Sequence, residues 1–185
     1  MRHGESTANV EGIIVSTPEN GIENYGLSDK GREQVVQSIE TAIAEKLLDE
    51  NTRIISSDFK RTYETAEIAN QILGGKYLIE PEPRLRERDF GNFELKSNEN
   101  YQIVWDKDAI DGSHTSDNVE CTEAVMRRAT EVVWSLESYY DDQTFLLVAH
   151  GDTLQILLTA LKKYPASRQR ELKHLETAEI RPLAL

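Results

Sequence analysis

The stretch FLLVAHG at residues 145–151 decides the fold, because five apolar residues run directly into a histidine followed by a glycine. An apolar run of this length predicts a strand that is buried on both faces. A second histidine-glycine pair, His3 and Gly4, stands near the start of the chain, directly after Arg2. We expect His3 and His150 to lie at the carboxyl ends of parallel strands, where ligands bind in open α/β sheets.

Segments of strand and helix character alternate along the chain. The predicted strands are 52–56, 76–79, 144–149 and 178–183. The last one is expected at an edge, because Pro182 is tolerated only at an edge or an end of a sheet. The predicted helices are 28–50, 59–73, 120–139 and 153–163, and 84–100 is expected to be a long loop. This alternation predicts an α/β three-layer sandwich, in which a mostly parallel central sheet carries helices on both faces.

Length and composition limit the classes of function. The chain has 185 residues, which suits a single domain over 1–185. Its 33 acidic and 21 basic residues give a net charge of −12, which would repel nucleic acid and anionic membranes. No apolar run approaches the roughly 20 residues that cross a bilayer, and no secretory signal is visible. The lone Cys121 suits a reducing compartment. We therefore expect a cytoplasmic protein without a nucleic-acid or membrane partner.

Two further segments carry side chains that could take part in chemistry. Residues 56–66 cross from a strand end into a helix and place Arg61 in the first turn, where the helix dipole favours a bound anion. The alternative is an exposed Arg61 that pairs with Glu64 or Asp58. Residues 85–94 interleave carboxylates with arginines. This segment is either a solvated charged loop or a flap that offers one carboxylic acid as a proton donor.

In this order the segments resemble the histidine phosphatase superfamily, also called the phosphoglycerate mutase-like family, over essentially the whole chain. The family signature has four parts: Arg-His-Gly, Ser-x-x-x-Arg-x-x-x-Thr-Ala, Leu-x-Glu-x-x-Phe-Gly, and His-Gly after an apolar strand. The matching residues are Arg2, His3 and Gly4; Ser57, Arg61, Thr65 and Ala66; Leu85, Glu87, Phe90 and Gly91; and His150 and Gly151.

The resemblance implies a two-step phosphoryl transfer. His3 would be the nucleophile and would form a phosphohistidine. Glu87 would protonate the leaving oxygen and then take a proton from the attacking water. The expected substrate is therefore a small phosphorylated molecule.

The resemblance also implies a set of phosphate-binding residues, namely Arg2, Asn9, Arg61, His150 and Gly151. Three of these, Arg2, Arg61 and His150, are also expected to be catalytic, because they would stabilise the charge of the transition state. No metal or cofactor is implied, since the cationic side chains would supply the positive charge.

The resemblance leaves the reaction open between family members. Mutases of the family carry a long, basic and proline-rich insertion after the acidic loop, whereas residues 97–119 are short and acidic here. We expect a phosphatase that acts on small metabolites such as sugar phosphates or bisphosphates. A phosphoglycerate mutase or a phosphoprotein phosphatase is the alternative within the family, and an inactive phosphate-binding module or a truncated fragment is the alternative outside it. The oligomeric state stays open, with a homodimer as one option.

The start of the chain departs from the family pattern. Family members carry an apolar strand directly before Arg-His-Gly, and here only Met1 precedes Arg2. Loss of that strand would leave backbone groups of its neighbours unpaired. We expect that the N-terminal strand has been truncated from the sequence, or that other residues fill its place.

Overall fold

A computed structural model of the protein describes residues 1–183. Three parallel strands form the sheet: β1 (Arg53–Ser56), β2 (Glu80–Pro81) and β3 (Phe145–Val148), in the order β2-β1-β3. The first residues of the chain extend it, because Arg2 forms a parallel bridge with Ala149 just beyond β3. This pairing places His3 beside His150 at the carboxyl edge of the sheet.

Seven α-helices surround the sheet within the described residues. They are α1 (Thr7–Glu11), α2 (Pro18–Gly21), α3 (Asp29–Ala44), α4 (Lys60–Ile72), α5 (Tyr101–Ile110), α6 (Thr122–Tyr139) and α7 (Gly151–Leu161). Short 3-10 turns connect them at Pro83–Leu85, Gly91–Phe93, Asn98–Asn100, Ser116–Asn118 and Ala166–Glu171. Within residues 1–183, no helix combines the length and the apolar character that crossing a membrane requires.

Both faces of the sheet are covered by helices, which confirms the predicted α/β architecture. Side chains alternate along β3, because successive residues of a strand point to opposite faces. Leu146 and Val148 pack with apolar residues of α3 and α4, whereas Leu147 packs with residues of α6 and α7. These two apolar cores hold β3 rigidly, and β3 in turn fixes the position of His150.

Some predicted elements were wrong. The strand expected at 76–79 is absent there; β2 begins at Glu80, because the chain first turns through Gly74 and Gly75 at positive φ and leaves Leu78 89% exposed. No strand forms at 178–183, since Ala178 adopts a left-handed conformation with φ of 60°. The segment 84–100 is a loop with three 3-10 turns, and α5 directly after it was not predicted.

The edge of β3 next to residues 1–3 borders a cavity of about 270 Å³. Its lining is mainly apolar and includes Met1, Val133, Phe145, Leu154 and Leu157. The ammonium group of Met1 is buried here and donates a hydrogen bond to the carbonyl oxygen of Leu147 at 2.7 Å. Burial lowers the pKa of this amine to about 5. The expectation of an apolar strand at this edge stays a prediction.

Candidate active site

His3 is buried at the end of the sheet, with 3% of its surface exposed. The following turn needs glycine at position 4, because a Cβ there would lie 2.5 Å from the carbonyl oxygen of Gly31. The Nδ1 atom of His3 lies 2.7 Å from the carbonyl oxygen of Gly4. A carbonyl only accepts hydrogen bonds, so Nδ1 carries the proton and Nε2 keeps a free lone pair. Burial, with Arg61 and Arg2 nearby, holds the pKa of His3 well below its usual range.

Arg61 lies directly against that lone pair. Its Nε donates to His3 Nε2 at 3.1 Å, and its Nη2 donates to the carbonyl oxygen of Val15 at 2.9 Å. Its Nη1 is buried and has no hydrogen-bond partner among the described residues. Burial lowers the pKa of this guanidinium. The alternative of an exposed, ion-paired Arg61 was wrong, since Glu64 pairs with Arg32 and Asp58 pairs with Arg86.

His150 lies at the N-terminus of α7, as expected from its place after the apolar strand. Its ring centroid is 5.3 Å from that of His3. The Nε2 atom of His150 is 2.9 Å from the hydroxyl oxygen of Ser57, and its Nδ1 is buried without a partner among the described residues. Burial, with the charge of Arg61 next in importance, holds the pKa of His150 well below its usual range. The ring is therefore neutral until a negative charge arrives beside it.

Arg2 completes the cationic group. Its Nη1 donates to the carbonyl oxygen of Leu175 at 2.7 Å and lies 3.0 Å from His174 Nε2. Its Nε is buried and has no partner among the described residues. Gly151, the first residue of α7, lies beside this side chain, since a Cβ at position 151 would come within 3.5 Å of Arg2 Nε.

Of the eight buried side-chain atoms without a partner among the described residues, three belong to neighbours of His3: Arg2 Nε, Arg61 Nη1 and His150 Nδ1. Leaving a buried polar atom without a partner costs roughly 1–3 kcal/mol, so native structures contain few of them. Their concentration around one imidazole, with two permanent positive charges, is what an anion-binding site requires. Among residues 1–183, no three His, Cys, Asp or Glu side chains group closely enough to hold a metal ion.

Glu87 brings a carboxyl group to the same place. Its Oε1 accepts a hydrogen bond from the backbone N–H of Arg88 at 2.9 Å, with Thr153 N and Oγ1 further away at 3.4 Å. Two opposing influences act on its pKa: burial and the nearby Asp152 raise it, whereas Arg61 and Arg2 lower it. Burial is the largest influence and the net shift is upward, which keeps a proton on this carboxyl to higher pH.

Asn9, a predicted phosphate-binding residue, forms its side-chain hydrogen bonds within its own helix and loop. Its Oδ1 accepts hydrogen bonds from the backbone N–H and the hydroxyl of Ser6, both at 3.0 Å, and so completes a capping box with Ser6, the N-cap residue of α1. The side chain thereby orients the loop that follows His3. A contact between Asn9 and phosphate stays a prediction.

Tyr101 is a candidate that the sequence interpretation missed. Its ring stacks on Trp105 at 5.4 Å and packs edge-on against Phe90 at 4.7 Å. Burial raises the pKa of its phenol, and the charges of Glu87 and Arg61 both act on it, so the hydroxyl lies near both groups. The available signal was the i, i+4 spacing of Tyr101 and Trp105, which is typical of two side chains on one helix face.

A second buried arginine, Arg88, follows Glu87 directly in the sequence and forms an ion pair beneath the site. Its guanidinium is fully buried and donates two hydrogen bonds to the carboxylate of Asp108 at 2.6 and 2.8 Å. A carboxylate oxygen of Asp152 lies 3.6 Å away and also accepts from Trp105 Nε1. This network joins α5 to α7 and holds the residue that follows Glu87.

The fold and this site define a class: an α/β protein that gathers two histidines, two arginines and a carboxyl group of raised pKa at the carboxyl edge of a parallel sheet. The chain belongs to the histidine phosphatase superfamily, branch 1, whose sequence profile matches residues 1–184.

Relatives and solved structures carry both mutase and phosphatase names. The probable phosphoglycerate mutases GpmB of Proteus mirabilis and Erwinia tasmaniensis are 30% and 28% identical over 179 residues, which is 94% of this chain and 78% of theirs. A mycobacterial glucosyl-3-phosphoglycerate phosphatase, solved with VO3, superposes with a TM-score of 0.78 at 25% identity, over 96% of this chain and 87% of that one. Bacillus stearothermophilus YhfR gives 0.76 at 28% identity, over 96% and 85%.

Proposed function

We propose that this protein is a metal-independent phosphatase that acts through a phosphohistidine intermediate on small phosphorylated metabolites. One observation carries the proposal. His3 is held in the tautomer with an unprotonated Nε2, and that nitrogen accepts a hydrogen bond from a buried arginine that has a second, unsatisfied N–H group. A nucleophilic nitrogen next to an unfilled anion site is the arrangement that in-line attack on a phosphoryl group needs.

In the first step, the lone pair of His3 Nε2 forms a bond to phosphorus while the bond from phosphorus to the leaving oxygen breaks. Glu87 gives its proton to that oxygen, so the leaving group departs as a neutral alcohol. Arg2 and Arg61 stabilise the charge on the phosphoryl oxygens. The bound dianion also raises the pKa of His150 and favours its cationic, hydrogen-bond-donating form.

In the second step, water attacks the phosphorus of phosphohistidine and the P–N bond breaks. The Glu87 carboxylate, now without its proton, accepts one from the water. Inorganic phosphate leaves and His3 returns to its neutral form. Each step uses the same groups in reverse protonation states, so the site is restored after one turnover.

The segment after the acidic loop, residues 97–119, favours phosphatase activity over mutase activity. A mutase must keep the dephosphorylated product in place for a second transfer, and the segment after the acidic loop would have to retain it. Here that segment is α5 with short flanking turns, rich in aspartate rather than in basic residues. The mutase names of the relatives make mutase activity the second candidate.

The test is hydrolysis of p-nitrophenyl phosphate, combined with an assay of interconversion between 3- and 2-phosphoglycerate. We expect aryl phosphate hydrolysis, an acid-labile and base-stable phosphate on the protein, and no interconversion above the rate of hydrolysis. Interconversion faster than phosphate release would establish a mutase. If neither hydrolysis nor a phosphoenzyme is detected, the protein would instead be a phosphate-binding module without catalytic activity.

The partner and compartment are also proposals. A small phosphorylated substrate is supported by the near-complete burial of His3 and Arg61, which a phosphorylated protein segment would reach with difficulty. The charge of −12 supports the absence of nucleic-acid and membrane partners, and the single cysteine supports a cytoplasmic location.

A further inference from the structure

A second cavity, of about 320 Å³, adjoins the candidate active site. Glu87 lines it, together with Arg86, Asp89, Glu120 and Arg128. Because Glu87 is the proposed donor to the leaving oxygen, a leaving group that departs past this residue would extend into this cavity.

The two arginines of this cavity are already engaged. Arg128 has five N–H donors, and all five have acceptors within the protein: two carboxylate oxygens of Glu120 and the carbonyl oxygens of Arg84, Arg86 and Glu87. An anionic ligand would have to break one of these bonds to reach Arg128.

Arg86 is neutralised in a different way. Its Nε and Nη2 donate to the two carboxylate oxygens of Asp58, at 2.8 and 2.5 Å. Asp58 and the nearby Glu19 both raise the pKa of this guanidinium, which shows that negative charge surrounds it. Its Nη1 donors remain open to an uncharged acceptor such as a hydroxyl oxygen.

One negative charge in the cavity has no cationic partner. Asp89 is exposed, and within the described residues its carboxylate accepts only the backbone N–H of Gly91 from its own loop, at 2.7 Å. No lysine or arginine of the described residues forms an ion pair with it. With Arg86 and Arg128 each paired to a carboxylate, the charge that a ligand meets here is negative.

We infer that this cavity takes an uncharged, hydroxyl-bearing leaving group, such as a polyol or a sugar, and disfavours one that carries a carboxylate or a second phosphate. A hydroxyl can donate to Asp89 and accept from Arg86, whereas a carboxylate can only accept and is repelled by Asp89. The inference rests on the proposed function, since it concerns the same reaction and the same Glu87.

A matched pair of substrates tests it. Glycerol 3-phosphate and 3-phosphoglycerate differ in that one carries a CH2OH group where the other carries a carboxylate. We expect kcat/KM to be about tenfold higher for glycerol 3-phosphate, which is the effect of one like-charge contact near a protein surface. The ratio should narrow in high salt, because exposed charges are screened.

The variant Asp89→Asn sharpens the test, since asparagine keeps the acceptor for the Gly91 N–H and removes the charge. It should reduce the ratio between the two substrates about three- to tenfold. The control is Glu40→Gln, which removes one exposed negative charge from α3, a helix that does not line the cavity. This control should leave the ratio and the p-nitrophenyl phosphate activity unchanged.

The two proposals fail in different ways. A wild-type preference for 3-phosphoglycerate, or equal rates, overturns the inference about the leaving group while aryl phosphate hydrolysis still supports the phosphatase. A ratio that Asp89→Asn leaves intact also overturns it. Absence of hydrolysis with every substrate, p-nitrophenyl phosphate included, overturns the proposed function itself.

Discussion

Arg61 and Arg88 are buried to nearly the same extent, at 4% and 0% exposure, but they are satisfied very differently. Burial acts on both guanidinium groups to lower the pKa. For Arg88 the hydrogen-bonded Asp108 and the nearby Asp152 outweigh burial, and the net shift is upward. For Arg61 no carboxylate forms an ion pair, one N–H group has no partner among the described residues, and the pKa is lowered.

The difference separates an arginine that stabilises the fold from one that waits for a ligand. A buried ion pair such as Arg88–Asp108 holds a structure in one arrangement, but removal of one partner leaves an uncompensated charge. An arginine without its partner, such as Arg61, is a destabilising feature that persists where a ligand supplies the missing anion. Substitution of Arg61 should therefore mainly lower catalytic activity, whereas substitution of Arg88 should mainly lower the stability of the fold.

The largest effect on catalysis is expected for His3→Ala, which removes the residue in contact with Arg61. His3 carries the proposed nucleophile, so kcat should fall at least about a hundredfold and the phosphoenzyme should disappear. Steady-state kinetics and acid-labile phosphate would be measured, with circular dichroism to confirm folding. A folded variant that keeps more than about a hundredth of the wild-type kcat would refute the covalent role.

The variant Arg61→Met should lose about 10²- to 10³-fold in kcat/KM, because a donor to the transition-state charge is removed. Its melting temperature should stay the same or rise, since an unpaired buried charge disappears. Arg32→Met is the control: this arginine lies in α3, is half exposed, and should not affect catalysis. A large fall in the stability of Arg61→Met would show that Arg61 stabilises the fold as Arg88 does, which would contradict the distinction drawn between them.

The opposite outcome is expected for Arg88→Met. Removing one member of the buried pair should lower the free energy of unfolding by roughly 3–5 kcal/mol, as measured by denaturant titration. The double variant Arg88→Met with Asp108→Leu should recover part of this loss, because the buried carboxylate of Asp108 is removed together with its partner. A loss below about 1 kcal/mol in the single variant would show that Asp108 does not depend on Arg88.

Glu87→Gln tests the carboxyl that faces these cations. Phosphates of alcohols, which leave poorly without protonation, should lose about a hundredfold in kcat, and p-nitrophenyl phosphate should lose far less. The pKa of Glu87 is raised, so activity on alkyl phosphates should persist at low pH and fall as the pH rises through that pKa. The variant should lack this descending limb. Equal losses on both substrate types would instead point to Asp89 as the acid.

The smallest effect concerns the apolar cavity between Met1 and β3. A Val/Ile/Leu-rich pentapeptide placed before Met1 should fill this cavity, raise the melting temperature and increase activity. A Gly/Ser pentapeptide of the same length is the control and should leave both measurements unchanged. If the two extensions behave alike, the prediction of a strand at this edge will be wrong.

The sequence predicted the two central strands and the helix around Arg61 better than it predicted the edges of the sheet. The apolar run before His150 and the helix around Arg61 have strong local patterns, and both appear as expected. The segment 76–79 misled the prediction, because Tyr77, Leu78 and Ile79 have strand-like composition but follow a glycine turn that leaves Leu78 in solvent. Apolar composition alone does not show whether a segment that follows a turn packs against the protein or lies in solvent.

The sequence could not show which charges pair. Arg86 and Arg88 stand two residues apart in one charged segment, yet Arg86 pairs with Asp58 and Arg88 with Asp108. Both contacts bridge segments distant in sequence, and no local periodicity encodes them. For the same reason Tyr101 was missed, because α5 has no clear apolar face and its placement depends on contacts with distant residues.

The short contact between His3 Nδ1 and the carbonyl oxygen of Gly4 has a consequence for detection. It leaves only Nε2 free to react, so a phosphorylated form of this protein would carry the tele isomer of phosphohistidine, also called 3-phosphohistidine. The pros isomer would require the ring to give up that backbone contact and turn over inside a closed site. An antibody selective for the tele isomer should therefore recognise the trapped protein, and one selective for the pros isomer should not.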